Sequence, residues 1–509
     1  MMQPISIDTN PPVPPIPMMK DKTQVNVRYT LISPFTTVHI YWNEKESELK
    51  YEIEEPILDM NEKEILAKIE EGMKEIINVN VVVEKTKQAV LEYIDKTARL
   101  LIEEFNIKIS ESSYHKLFYY MYRDFVGFND IDPLINDYFI EDIECNGVDT
   151  PVYIVHRLFR NIKTNIVFKD IDVLASFVEK LAQRTGRYIS YAQPILDGSL
   201  PDGSRVNATY TKDISSKGPT FTIRKFTTLP WTPVQLVSFN TLSPEMLAYF
   251  WILTQYHANI LIAGGTSSGK TTLLNAISFF IPPEARVVSI EDTRELNLPR
   301  ENWLPSVARG SIGEGGVGEV DLFKLLKNSF RQNPDYVIVG EVRGKEAFVL
   351  FQGMASGHPS LSTIHADSVD TVIKRLETPP IELSPTLLNV LDCVCIMTHA
   401  IAKKQETRKL KEIVEIINVT PEGIAMTNTP FMWNPSDDNF YFKKNSKIFD
   451  KIAKRFGITT EEINVEFRKR VKLIYSLYQN KVFDYQEFQD VITRYYKKPE
   501  EVLAKFGIV

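Results

Sequence analysis

The stretch Gly264-Gly265-Thr266-Ser267-Ser268-Gly269-Lys270-Thr271 constrains this chain more than any other. It is a G-x-x-x-x-G-K-[ST] loop, a spacing that belongs to a strand, a phosphate-cradling turn and a helix in succession. Gly264 and Gly269 permit the turn. They let backbone N–H groups along Thr266, Ser267, Ser268 and Thr272 close around phosphate oxygens. Lys270 brings a compact positive charge to the β/γ-phosphates, and the Thr271 hydroxyl suits Mg²⁺. Asn259 to Ala263 reads as a short buried strand and Thr272 to Ile277 as the following helix, its N-terminal dipole facing the phosphates. A chance glycine-rich turn would lack this order. ATP with Mg²⁺ is the expected ligand.

A chain of 509 residues is too long for one core, so two or three domains are expected. With 43% hydrophobic and 25% charged residues it has an ordinary globular composition. A net charge of −7 argues against general nucleic-acid binding, which shows as a basic domain. The three cysteines, Cys145, Cys393 and Cys395, offer no zinc spacing and are expected to be reduced, buried thiols. The most apolar run, Met246 to Ile262, is broken by Gln255, His257 and Asn259 and falls short of a membrane span. No signal peptide is expected at the N-terminus, so any membrane role is peripheral.

Residues 1–22 are rich in Pro and Met and are expected to be disordered or extended, either an inert tail or a partner-docking peptide. Residues 23–129 read as a strand pair (Val38 to Trp42, Leu49 to Ile53) followed by a small helical subdomain. Its first helix is expected to start from an Asn61/Glu64 capping box. Residues 130–228 alternate strands and helix as an α+β N-terminal domain. The prolines of 229–233 mark a linker. Residues 234–509 form the phosphate-loop domain, with a helical, peripheral extension beyond about Asn445.

Three further segments carry chemistry. Arg286 to Ile290 is a strand ending on Glu291, and Tyr336 to Gly340 a strand ending on Glu341. In a parallel α/β sheet the strand C-termini flank the phosphate loop, so both acids can reach the nucleotide. One would serve Mg²⁺ and the other orient or deprotonate water; the residues leave open which does which. Leu361 to Ile364 is a third strand, and it puts His365 at a strand end within reach of a γ-phosphate.

The loop, then Val287-Val288-Ser289-Ile290-Glu291-Asp292-Thr293-Arg294-Glu295, then Asp335-Tyr336-Val337-Ile338-Val339-Gly340-Glu341-Val342-Arg343-Gly344, then Ser356 to Asp367, resemble the secretion ATPase superfamily. This superfamily drives type II and type IV secretion and type IV pili. Ile140 to Val148 and Pro219 to Phe226 look like its archaeal branch, most like the archaellum motor ATPase, with pilus-assembly ATPases close behind.

The resemblance implies a RecA-like C-terminal domain with a mobile N-terminal domain, a cytoplasmic homohexamer and docking beneath a polytopic membrane platform protein. A second soluble RecA-like partner is a further candidate. It also implies that Glu291 is the Asp-box acid, Glu341 the Walker B acid and a candidate Mg²⁺ ligand with Thr271, and His358 and His365 the His box, without deciding which acid serves Mg²⁺. Arg205 and Arg224 match arginines through which the N-terminal domain reaches the nucleotide. Gly310 to Gly318 reads either as a moving loop of the cycle or as a passive one. Outside the family, a nucleic-acid translocase and a nucleotide-gated scaffold share such a core.

Overall fold

The computed structural model describes all residues except 1–6, 10, 15, 17–20, 77–86, 227–228, 311–317, 403–404, 444 and 509. The chain divides into two compact units, Met1–Phe226 and Thr227–Val509.

In the first unit, strands β1 (Asn26–Ile32), β2 (Thr36–Asn43), β3 (Glu48–Glu54), β4 (Ile140–Cys145), β5 (Pro151–His156), β6 (Arg160–Val167), β7 (Ile195–Ser199), β8 (Arg205–Thr209) and β9 (Thr220–Arg224) form one sheet. Its order is β1-β2-β3-β6-β5-β4-β9-β8-β7. The expected strand pair is β2–β3, in antiparallel register. β1 joins it outside, and β3 pairs in parallel with β6. Strands from before and after residue 130 therefore share one sheet. The helices Met60–Ile76, Lys87–Glu104 and Glu111–Phe125 pack into the same core, where Ile69, Ile94 and Leu117 meet Ile40, Ile143 and Ile223.

The first helix begins from a different box than expected: Asp59 N–H donates to Glu62, and Glu62 N–H to Asp59. Lys116 also bonds Glu62, which fixes the earlier register. Within the Pro-rich tail, Ile7 and Thr9 are buried and Asp8 bridges Ser33, so these residues belong to the fold.

The second unit is built on β10 (Ile260–Gly264), β11 (Val287–Glu291), β12 (Trp303–Val307), β13 (Tyr336–Val339), β14 (Ser360–Ile364), β15 (Cys393–Ala402), β16 (Gln405–Val419), β17 (Ala425–Asn434) and β18 (Asn439–Phe442). The sheet order is β12-β11-β13-β14-β10-β15-β16-β17-β18. The first six run parallel and the last three extend the sheet antiparallel. β10, β11, β13 and β14 are buried along their whole length, and β10 and β13 are the continuous apolar runs expected of inner parallel strands. This is the RecA-like α/β architecture that the resemblance implies.

One part agrees with expectation and one differs. The apolar run from Met246 is a fully buried helix, Pro244–Gln255, followed by β10. Its hydrophobicity serves a core, and among the described residues no helix is long and apolar enough to cross a membrane. The C-terminal helices Lys447–Phe456, Thr460–Gln479 and Tyr485–Lys497 are not peripheral. Phe449, Phe467, Leu477 and Phe488 belong to the same core as Ile262 and Leu274. Trp251 stacks on Phe280 at 5.3 Å, with Tyr495 at 4.8 Å and the Arg470 guanidinium at 4.7 Å. Glu415, fully buried on β16, accepts from Tyr249, Asn428, Ser446 and the Lys447 N–H, which pins the extension's first helix to the sheet.

Candidate functional site

The sheet brings the predicted residues together at one edge. β11, β13, β14 and β10 are successive neighbours, so their carboxyl ends place Glu291, Glu341, His365 and the phosphate loop side by side. Gly340 is what lets two acids crowd there. A Cβ on it would sit 3.1 Å from Glu291 Cγ.

The loop follows from β10 and ends in the helix Lys270–Ser278. Gly264 has no room for a side chain, since a Cβ would lie 2.4 Å from Ser268 Oγ and 2.7 Å from Met397 O. Gly269 has φ +93°, the left-handed region that favours glycine, at the helix N-terminus. Thr266 and Ser267 are exposed, whereas the Ser268 side chain is buried and bonds Gly265 O, so Ser268 can offer a ligand only its backbone. Thr271 and Thr272 are half-buried at the first helical turn.

Lys270 is buried, with Nζ 2.8 Å from Gly265 O and 3.4 Å from His365 Nδ1. Burial holds its ammonium below the usual lysine range, opposed by Glu341. His365 Nε2 lies 3.2 Å from Glu341 Oε1. Burial lowers the His365 pKa from its ordinary value against the pull of Glu341, so the ring is neutral near pH 7. A lysine donor at Nδ1 then puts the ring proton on Nε2, facing Glu341. Glu341 Oε2 accepts from Arg343 at 2.9 Å, while its Oε1 is buried without a completed hydrogen bond among the described residues.

Glu291 is 1% exposed. Its Oε1 accepts from the N–H groups of Glu295 and Leu296, each at 2.9 Å, and its Oε2 is buried with no partner among the described residues. Burial pushes its pKa up to about 7, only partly offset by those two N–H donors. The unsatisfied Glu341 Oε1 next to the Lys270–His365 pair, with the unsatisfied Glu291 Oε2 on the neighbouring strand, fits a metal held against phosphate. With nothing within 4 Å of a Cβ on Gly265, the loop is also open there.

His358 does not join this group. It precedes β14, on the opposite end of the strand from His365, roughly 20 Å away at 3.3 Å per residue. Its ring packs edge-on against Phe330 at 5.0 Å. Arg205 and Arg224 belong to the first unit and are exact cross-strand partners on β8 and β9. Arg205 pairs with Asp197 at 3.0 Å and Arg224 approaches Asp142 at 3.8 Å. Gly310 to Gly318 falls largely on residues outside those described. Its base is closed by the Arg309–Val320 bridge. Arg375, which donates to His365 O, and Arg343 are additions that the motif reading did not assign.

Residues 127–422 match the family described as Type II/IV secretion system protein. An uncharacterized protein of Methanocaldococcus jannaschii is 35% identical over 95% of this chain and 91% of its own. The type IV secretion system protein PtlH of Bordetella pertussis is 31% identical over 48% of this chain and 81% of its own. Among solved structures, the VirB11 ATPase of the Brucella suis type IV secretion system, in complex with sulphate, is 24% identical. It covers 55% of this chain and 90% of its own, with a TM-score of 0.29. The chain belongs to the type II/IV secretion system protein family.

Proposed function

We propose that this chain is an ATP-hydrolysing motor subunit for an archaeal, type IV pilus-like surface filament, most like the archaellum. The observation that carries the ATPase reading is the convergence of Lys270, Glu341, His365 and Glu291 at four neighbouring strand ends around an open phosphate loop.

Lys270 and the loop N–H groups bind the phosphates. Mg²⁺, when bound, supplies neutralisation of phosphate charge, and the Thr271 hydroxyl with the Glu341 carboxylate are the groups suited to hold it. Glu291 is the better candidate for proton acceptor, because a general base works best with a pKa near the operating pH. Neutral His365 stands between Lys270 and Glu341, 3.4 Å from the lysine Nζ and 3.2 Å from the carboxylate, and keeps the two in register.

Arg205 and Arg224 supply the link to the N-terminal domain. The two guanidinium groups stand opposite one another on the sheet, each with a neighbouring aspartate, and both are exposed enough to take a phosphate oxygen. Each charge-assisted bond is worth about 1.5–3 kcal/mol, so two approach the roughly 5.5 kcal/mol that reverses a 1:99 population. Loss of the γ-phosphate would then release the N-terminal domain.

The family and the archaeal relative support a subunit of a membrane-docked machine: a homohexamer, peripheral at the cytoplasmic face, under a polytopic platform protein. A pilus motor shares all of this and differs in cargo. The test is twofold. ATP and Mg²⁺ should convert the purified chain to six-membered rings by light scattering, and affinity capture from its own cells should retain a polytopic filament-machine protein. A strict monomer at micromolar concentration with ATP, or DNA-stimulated turnover with no membrane partner retained, would overturn the reading.

A further inference from the structure

Strand β16 lies outside every nucleotide motif, yet it reaches the phosphate loop. Gly264 is level with Met397 on β15, Met397 with Leu410 on β16, and His399 with Arg408. Leu410 and Met397 are buried in the core beneath the loop's helix. Arg408, two residues from Leu410 on the same strand face, therefore stands at the height of the loop that follows Gly264.

The contact is specific. Arg408 Nε donates to Ser267 O at 2.9 Å, across 141 residues of sequence. Its Cδ, with Met397 Cε, lies 3.4 Å from where a Cβ on Gly269 would be, so stem and head together cover the outside of the loop. Ser267 sits at φ +57°, a backbone conformation that persists only when its surroundings hold it.

The peptide plane explains why this matters. Ser267 C=O and Ser268 N–H belong to one trans, planar unit and point in opposite directions. Tying the carbonyl to Arg408 fixes the same peptide's Ser268 N–H, which donates to Gly265 O at 3.4 Å, the same oxygen that Lys270 Nζ contacts.

We propose that Arg408 is a positioning residue for the nucleotide: by holding the Ser267 carbonyl, it fixes the Gly265–Ser268 turn and with it the shape of the loop that receives the phosphates. The proposal rests on the reading of this loop as an ATP site. A loop held in the same shape for substrate and transition state contributes uniform binding, so its loss raises KM and spares kcat.

The test measures KM and kcat for ATP·Mg²⁺, and melting with and without ATP, on the full chain. R408A should raise KM about tenfold and change kcat less than about threefold, with the ATP-free Tm near wild type and the ATP-induced rise in Tm reduced. R408K should lie between, because an ammonium cannot reproduce the Nε geometry. R468A, which removes an exposed arginine paired with Glu461, is the control and should match wild type. An R408A KM within twofold of wild type overturns the proposal, as does a lowered ATP-free Tm with KM unchanged. Should R408A not fold, R408K decides: a KM raised threefold or more supports the proposal, and a wild-type KM overturns it. If the wild-type chain itself binds no ATP, the loop assignment fails, an outcome distinct from either.

Discussion

Glu291 shows how one residue's environment sets its chemistry. It is 1% exposed, with one oxygen held by two N–H groups and the other unsatisfied among the described residues. Its pKa is raised from 4.5 to about 7. The folded chain therefore binds this proton more tightly than the unfolded chain does. Stability from this group is greatest below the unfolded pKa and falls as pH rises from about 4.5 to 7, by up to about 3 kcal/mol. Glu291→Gln removes the ionisation, so the ATP-free variant should melt higher than wild type at pH 8 and nearly level with it at pH 5, while losing turnover. Equal melting shifts at both pH values would contradict a buried, proton-poised carboxyl. Glu291, Glu341, Lys270 and His365 were legible because each closes a strand or opens a helix within a motif. His358 was grouped with them as part of the His box that the resemblance implies, although an intervening extended strand carries it to the sheet's far end. Arg408 was not legible, since only the pairing of β15 with β16 brings it to Ser267.

Among elements, the inner parallel strands could be read directly, because burial on both faces favours apolar runs such as Tyr336 to Val339, whereas the half-exposed edge strand Trp303–Val307 was missed. The antiparallel extension β16–β18 was missed, since half-exposed strands such as Ala425–Asn434 alternate irregularly and include bulges. The C-terminal helices were recognised as helices but not as core, because amphipathic periodicity does not say which surface a stripe covers. That surface is the helix Pro244–Gln255, apolar all round because it lies beneath them. Removing residues 446–509 would uncover Trp251 and Phe280 and delete about a dozen large buried side chains. At about 1.5–3 kcal/mol each, that loss exceeds a typical 5–15 kcal/mol of net stability. The truncated chain should be insoluble or lack a cooperative melting transition. A soluble fragment melting like the full chain would mean that the extension is dispensable.

At the scale of the whole molecule, Arg205 and Arg224 lie in the first unit and the phosphate loop in the second, and the proposed function requires that the arginines act on hydrolysis at the loop. Both arginines are substantially solvent-exposed, and exposed ion pairs contribute roughly 0–1 kcal/mol. The double variant Arg205→Ala/Arg224→Ala should therefore keep its Tm within a few degrees of wild type while ATP turnover drops at least tenfold. Normal turnover in that variant would leave the coupling without its link, and a collapsed Tm would make the arginines structural. Everything else depends on hydrolysis at the loop. The most direct measurement is phosphate release from ATP by the full-length chain beside Lys270→Ala, with folding of both verified by melting. Wild type should turn over ATP, and the variant should lose at least a hundredfold with its melting transition retained. Near-normal hydrolysis by Lys270→Ala would contradict hydrolysis at the loop.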